Sequence, residues 1–465
     1  MKRGAMRTGR EGGRMAGGAA QCTILGGGIA GLAAAGAARE RGVSCVLYEA
    51  ADRLGGNAIT LEHDGFRYDS GAHRFHDRLP AVTRHIHSLL GADLHPVDAP
   101  SRIHLNGTFV DFPLSPWDLL TKLPVRTVLR SSLDLVAARL RRRRACRNLE
   151  DYAVRAYGRT VATTFLTNYS LKLWGLSSDR LSTAAAGKRL RGLGWRTFLL
   201  DAFRGAQARA THLDGRFFYP RGGIGRIAEA LAGCCAPGTL HTDARVTAIR
   251  CRSERIAEIE VDRAGGARRT PVEHVICTLP LDTTLALLDP PPPEHLRSLA
   301  GALRYRHVVV VALFLDRPGL SPYATTYFPD PAFPFTRVHE PRCRCPEMAP
   351  EGRTSLVAEI PCDPDEECWR RSDDEWVARV RAGLERLGWI RATDVREAAV
   401  HRMRNAYPVP CVGSEERVRE VLGWLDRFTN LTLIGRSARF EYHHIHDLVE
   451  RARRAVTAWR RGPPA

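Results

Sequence analysis

The segment Gly26-Gly27-Gly28-Ile29-Ala30-Gly31 leaves the chain around it few conformational choices. A short apolar run, Cys22 to Leu25, precedes it; an Ala-rich helical stretch to Arg41 follows, and then a second apolar run from Val43 to Tyr48. Strand, tight turn, helix and strand within about 30 residues make the βαβ unit of a Rossmann-type fold. In such a unit the first glycine permits the turn, the second admits a pyrophosphate against bare backbone, and the third lets helix pack on strand. The helix N-terminus then faces the anion. Glu49, followed by Ala50, closes the second strand about 20 residues on, where a carboxylate can accept a hydrogen bond from a ribose hydroxyl. Gly26, Gly28, Ile29, Ala30, Gly31, Glu49 and Ala50 therefore read as a dinucleotide cradle; a glycine cluster that merely caps a helix is the plainer alternative.

The rest of the chain sets the context for that cradle. Its 465 residues exceed what one hydrophobic core accommodates, so two or three lobes with a cleft between them are expected. Apolar residues at 44% and charged residues at 26% match ordinary globular usage, and no apolar run is long enough to span a bilayer. Residues 1–20 are rich in Arg and Gly and lack the apolar stretch of a secretory signal, so a disordered basic leader is expected, with Met6 or Met15 as alternative starts. The formal charge of +18 invites a nucleic-acid reading, yet Lys2, Lys122, Lys172 and Lys188 are the only lysines among 69 basic residues. So strong an Arg bias reflects composition, and points to anionic substrates, cofactor phosphates or a membrane surface rather than nucleic acid. Twelve cysteines without a secretory segment suggest reduced thiols and a cytoplasmic protein. The spacing of Cys343, Cys345, Cys362 and Cys368 does not match a zinc ribbon, so no metal is expected.

The fold class expected is α/β: a discontinuous Rossmann-type dinucleotide-binding domain with a helical insert and a mixed α+β substrate domain. The leader would cover 1–20; the dinucleotide-binding domain would take 21–100, 216–300 and 411–465. The helical insert or substrate region would take 101–215, and the substrate domain 301–410. The pattern from about Leu79 to Arg155 reads as helical, including an amphipathic stretch from Trp117 to Leu140 that runs into Arg141–Arg144. That basic stretch is either a solvated helix end or a membrane-surface patch serving a lipophilic substrate. β-type segments return between Asp243 and Ile276, His307 to Leu315 is a Val-rich strand, His339 to Asp374 reads as Pro- and Cys-rich loop, and Asp374 to Leu387 as an amphipathic helix.

FAD rather than NAD is suggested by Arg53-Leu54-Gly55-Gly56-Asn57, where an Arg and two more glycines continue the cradle just after the acidic residue. At this point the sequence resembles the flavin-dependent superfamily that includes amine oxidases, protoporphyrinogen oxidases, phytoene-type desaturases and UDP-galactopyranose mutases. Gly71-Ala72-His73-Arg74-Phe75-His76 is similar to the mutase segment that runs beside the flavin. Tyr169-Ser170-Leu171-Lys172-Leu173-Trp174-Gly175, then Lys188-Arg189-Leu190-Arg191, resembles the stretch bearing an active-site Trp and a diphosphate-binding Arg. Lys172 and Lys188, in a chain that otherwise uses Arg, suggest a need for a compact ammonium. Tyr407-Pro408, Gly435-Arg436 and Tyr442 follow the mutase order of a Tyr-Pro segment, a flavin-contacting Gly-Arg and a second active-site Tyr.

The resemblance implies a cofactor set of Gly26, Gly28, Ile29, Ala30, Gly31, Glu49, Ala50, Arg53, Gly55, Gly56, Asn57, His73, Val246, Gly435 and Arg436. It implies a catalytic set of His73, Trp174, Arg189, Arg191, Tyr407 and Tyr442. The implied reaction is a pyranose/furanose mutation of a nucleotide-diphosphate sugar, with reduced FAD as nucleophile at the anomeric carbon and no net oxidation. There are departures: Arg439 and His443-His444 stand where the mutases carry other residues, and Phe218 to Gly225 is closer to protoporphyrinogen-oxidase-like flavoproteins. A metal role for His443, His444 and His446 is the weaker reading beside a flavin-proximal one. The rival function is an oxidoreductase that removes hydride from an amine, a porphyrinogen-like ring or a lipid; a flavoprotein used only for binding has no specific support.

Overall fold

The computed structural model describes residues 21–105, 107–112, 121–122, 124–140, 145–186 and 216–461. Strand β1 (Cys22–Leu25) lies at the centre of a five-stranded parallel sheet, flanked by β2 (Cys45–Tyr48) and Val275–Cys277, with Leu240–His241 and Leu431–Leu433 at the edges. All four residues of β1 are buried, as a strand covered by helices on both faces requires. Helix α1 (Ile29–Glu40) is buried from Ile29 to Ala38 and packs against the helices Gly225–Gly233 and Ile445–Arg461. Its Ala- and Gly-rich sequence permits that close contact, where a Cβ on Gly36 would stand 3.3 Å from Cys234 Cβ; at the other end of the helix a Cβ on Gly31 would stand 2.0 Å from the Gly26 carbonyl oxygen. This sheet draws its strands from the start, middle and end of the chain.

A four-stranded sheet, Gly266–Pro271, Arg255–Arg263, Arg245–Arg252 and Leu288–Asp289, adjoins it. The third sheet has seven strands, in the order Val395–Pro408, Tyr305–Leu315, Thr354–Cys362, Arg337–His339, Thr325–Tyr327, Ser101–Leu105 and Thr108–Phe112. Tyr305–Leu315 is buried along its whole length. Its alternate residues serve two cores, following the period of two along a strand. Val309, Val311, Leu313 and Leu315 meet Trp376, Val380 and Leu384 of the helix Asp373–Arg386. Val308, Val310, Ala312 and Phe314 meet Phe66 and Tyr68 of the hairpin Thr60–His63/Phe66–Asp69. Each such side chain contributes on the order of 1.5–3 kcal/mol by burial. The helix starts at Asp373 because Ser372 and Glu375 form a reciprocal capping box.

Two expectations from the sequence are corrected. The stretch expected to be helical from Leu79 to Arg155 opens with the helix Pro80–Leu90 but then carries the strands Leu94–Asp98, Ser101–Leu105 and Thr108–Phe112; among the described residues the helices Val125–Leu140 and Leu149–Tyr157 follow. These strands are short, five residues each. Leu94–Asp98 and Ser101–Leu105 gain distant partners, Arg216–Pro220 and Thr325–Tyr327, while Ser101–Leu105 and Thr108–Phe112 form a local hairpin whose Asn-Gly turn signal in the sequence was missed. Likewise, the expected loop His339–Asp374 contains the nine-residue strand Thr354–Cys362, every residue of it buried. Residues 1–20, Trp117, Arg141–Arg144 and Lys188, Arg189 and Arg191 lie outside the described residues.

The hairpin is tied down by Asp69, which is 1% exposed. It accepts hydrogen bonds from the Tyr219 hydroxyl (2.6 Å), the Thr60 hydroxyl (2.8 Å) and Ile224 N–H (3.0 Å). Asp69→Ala leaves buried donors unsatisfied and is expected to cost about 2–4 kcal/mol in urea unfolding. A loss below about 0.5 kcal/mol, the range of an ordinary surface substitution, would contradict this.

Candidate functional site

The carboxyl ends of β1, Val275–Cys277 and Leu431–Leu433 converge on Gly26, Thr278 and Gly435, the place where open α/β sheets bind ligands. Helix α1 begins there with Gly28 at its N-cap, no side-chain cap and no acidic residue in its first turn, so its N–H groups are available to an anion. The second glycine pair closes the cradle: Gly55 N–H donates to Gly27 O (2.9 Å), and a Cβ on Gly56 would stand 3.1 Å from Gly28 Cα. Side chains are thus excluded where a pyrophosphate needs bare backbone.

Glu49 accepts from Gly27 N–H (2.7 Å) and Ala51 N–H (2.9 Å), fastening the glycine turn to the end of β2. Ala244 N–H donates to Glu49 O (2.9 Å), which brings Val246 and its strand beside the same end. Ala50 and Arg53 are exposed at this rim. Asn57 holds two loops together, its amide donating to Arg404 O (3.4 Å) and its carbonyl accepting from the Ser70 hydroxyl (2.8 Å). These features fit a dinucleotide cofactor.

Beyond the cradle lies an aromatic and cationic wall assembled from four separate segments. Trp174 meets Tyr407 edge-on (ring centroids 6.2 Å), Tyr407 stacks on Tyr442 (6.1 Å, 15°), and the Arg436 guanidinium lies 4.9 Å from the Tyr442 ring centre. Arg436 donates to the carbonyls of His443 (2.6 and 3.1 Å) and Ala406 (3.1 Å), so it pins the chain on both sides of the tyrosine pair. Trp174 is set by its short helix, Asn168–Trp174, which ends on Gly175 in the left-handed conformation. Buried Arg306 takes up that end, donating to the carbonyls of Lys172 (3.4 Å) and Leu173 (3.3 Å) while pairing with Asp363 (2.8 Å).

Lys172 does not face an anion. Its ammonium donates to three carbonyls, Phe328 (2.7 Å), Asp330 (2.9 Å) and Phe335 (2.7 Å). Three donors meet three acceptors, a fit that explains a lysine where the chain otherwise uses arginine. Burial pulls its pKa down to about 7, opposed by Asp330.

Two residues not singled out from the sequence complete the wall. Glu359, 2% exposed, accepts from Ala72 N–H (2.6 Å) and from Arg337 (2.6 Å), and Arg337 also donates to the Tyr407 hydroxyl (3.0 Å). Burial disfavours the Arg337 charge, but Glu359 outweighs it and holds the pKa well above the usual value. Burial likewise raises Tyr407 to about 12, against the pull of Arg337, so its hydroxyl stays protonated. The alternation Thr336-Arg337-Val338-His339 was the available signal for a strand carrying Arg337. Nothing marked that arginine among 65 (69 basic residues less four lysines).

His73 follows Ala72 into this network, and its Nε2 is buried without a hydrogen-bond partner. Burial, then Arg436 and Arg337, depress its pKa to about 3. The residues where the chain departs from the mutase pattern form a salt-bridge cluster: Glu441 gathers His443 (3.0 Å), Arg451 (2.9 Å) and Arg439 (3.8 Å). His444 and His446 stack beside Tyr442 and His76. Among the described residues, no group of three or more His, Cys, Asp or Glu is arranged to hold a metal ion.

Burial also lowers His274 and His401 to about 4, and holds His339 well below its ordinary value. A depressed folded-state pKa means that protonation favours the unfolded chain. The neutral histidines therefore stabilise fully above about pH 6.5, and that stability is lost as the pH falls from there toward 3–4. Denaturant midpoints should drop steadily between pH 7 and pH 5; a midpoint constant over that interval would contradict the assignment.

The sequence matches the family described as flavin containing amine oxidoreductase over residues 29–458. Protoporphyrinogen oxidase 1, chloroplastic, of Arabidopsis thaliana is 36% identical over 104 residues, which are 21% of this chain and only 19% of that relative. A reduced UDP-galactopyranose mutase structure superposes with a TM-score of 0.79 at 20% identity, covering 94% of each chain. A protein of Exiguobacterium sp. 255-15 provisionally described as a protoporphyrinogen oxidase superposes with a TM-score of 0.73 at 19% identity, covering 94% of this chain and 97% of that one. These structural likenesses are of fold, and among the described residues no helix is long and apolar enough to cross a membrane. By the family match, the chain belongs to the flavin-containing amine oxidoreductases and is an FAD-dependent enzyme.

Proposed function

We propose that this enzyme is a nucleotide-sugar pyranose/furanose mutase of the cytoplasm, in which Gly26, Gly28, Ile29, Ala30, Gly31, Glu49, Ala50, Arg53, Gly55, Gly56, Asn57, Val246, Gly435 and Arg436 hold FAD. The observation that carries this reading is the junction of Arg337, Tyr407, Tyr442 and Arg436 with Trp174. Two guanidinium groups and two phenols meet a broad aromatic face; Arg436 is bonded to carbonyls, so its charge is not spent on a carboxylate, whereas Arg337 is already paired with Glu359 and contributes its remaining donors. That combination suits a diphosphate attached to flat rings.

Reduced FAD supplies the nucleophile for the anomeric carbon in this reading. Arg337 and Arg436 bind the diphosphate and stabilise the charge that grows on it as the glycosidic bond opens. The Tyr407 and Tyr442 hydroxyls donate to its oxygens, and Trp174 orients the substrate rings. His73, neutral at working pH, offers Nε2 as a hydrogen-bonding atom at the inner end of the cleft. Arg189 and Arg191 are added to the phosphate site on the family resemblance alone.

A hydride-abstracting oxidoreductase is the second reading, favoured by the family description and by the partial match to a protoporphyrinogen oxidase. Anaerobic reduction with dithionite, followed by UDP- and GDP-linked pyranoses, should yield furanose products. No isomerisation, together with peroxide release from an amine or a porphyrinogen under air, would overturn the mutase reading. Arg337→Lys keeps the charge but loses the planar fork, and should weaken UDP binding by roughly tenfold or more while bound flavin is unchanged. Unaltered UDP affinity would remove Arg337 from the phosphate site.

A further inference from the structure

We propose that the helix Val125–Leu140 seats this enzyme on an anionic membrane surface, whichever reaction the flavin serves. Seven large hydrophobic side chains are exposed among the described residues, and four of them lie on this one helix: Val125 (71%), Leu129 (61%), Leu133 (72%) and Val136 (55%). Spaced at four, four and three residues, they form a single stripe along its length. The opposite side is already committed to the protein. Asp134 accepts from Thr160 N–H (2.8 Å) and the Thr160 hydroxyl (2.6 Å), anchoring the helix to the segments Leu149–Tyr157 and Arg159–Val161. The apolar stripe therefore points away from the fold.

Charge identifies what covers it. Arg126 and Arg130 border the stripe and are exposed. Asp134, the helix's single acidic residue, lies on the far side, and the sequence runs on from Leu140 into Arg141–Arg144. An apolar stripe edged by arginines is the pattern of a helix that lies in the headgroup region, with the guanidiniums meeting lipid phosphates. Two copies packed stripe to stripe would cover the apolar side chains but leave the arginines beside them without anionic partners, in a chain that already carries +18. The helix is not apolar enough to span a bilayer, so the attachment is peripheral and reversible.

The test is co-sedimentation of the full-length, flavin-loaded protein with phosphatidylcholine vesicles containing or lacking about one-third phosphatidylglycerol. Binding should require the anionic lipid and weaken as salt is raised. Leu129→Glu and Leu133→Glu should each lower the bound fraction at least tenfold, and Arg126→Gln with Arg130→Gln should remove the lipid selectivity. Flavin content and circular dichroism confirm folding for each variant. Binding equal on neutral and anionic vesicles, binding untouched by the Leu variants, or a wild-type dimer that the Leu variants convert to monomer without any vesicle binding would overturn the proposal.

Discussion

The contact between Gly31 and the Gly26 carbonyl is the constraint on which the molecule depends. A Cβ at Gly31 would stand 2.0 Å from the Gly26 carbonyl oxygen, so α1 could not lie where it does. That position sets the helix's uncapped N-terminus at the end of β1 and puts its small side chains against the helices Gly225–Gly233 and Ile445–Arg461. One close approach thus fixes the central βαβ unit, closes the contact with the last helix of the chain, and aims free N–H groups at the cofactor position. Glu49 reinforces it by holding the Gly27 N–H from the neighbouring strand.

The second organising element is the seven-stranded sheet, whose two faces do different work. One face is buried under Asp373–Arg386; the other carries Val308, Val310, Ala312 and Phe314 against the hairpin, and it is on this face that Glu359 and Tyr407 stand. Glu359 joins the sheet to the Ala72-His73 loop, and Arg337 joins it to Tyr407. A buried carboxylate that holds one backbone N–H and one guanidinium is stable because both partners meet it; either partner alone would leave it undercompensated. The same bonds hold the wall's donors in place, which is what the proposed diphosphate site requires.

Much of this was legible in the sequence because the signals were local. The glycine turn, its flanking strands and Glu49 follow from residue types at short fixed spacings. Trp174, Tyr407, Arg436 and Tyr442 could be named individually from the family resemblance, and the fold gathers all four. What escaped was set by long-range pairing. Leu94–Asp98 is a strand because Arg216–Pro220 lies beside it, and Thr354–Cys362 was hidden by the prolines and cysteines around it. With that strand read as loop, Glu359 had no face to point from. Lys172 was noticed for the right reason, its rarity, but its three acceptors come from residues more than 150 positions away.

The central claim is that the wall beside the flavin is a site for a diphosphate. Calorimetric titration of the oxidised, FAD-loaded protein with UDP, at low and at high salt, tests it without requiring turnover. The account predicts one-to-one binding that weakens as salt is raised and is reduced by Tyr407→Phe. No UDP binding at either salt, with a simple diamine binding in its place, would contradict it.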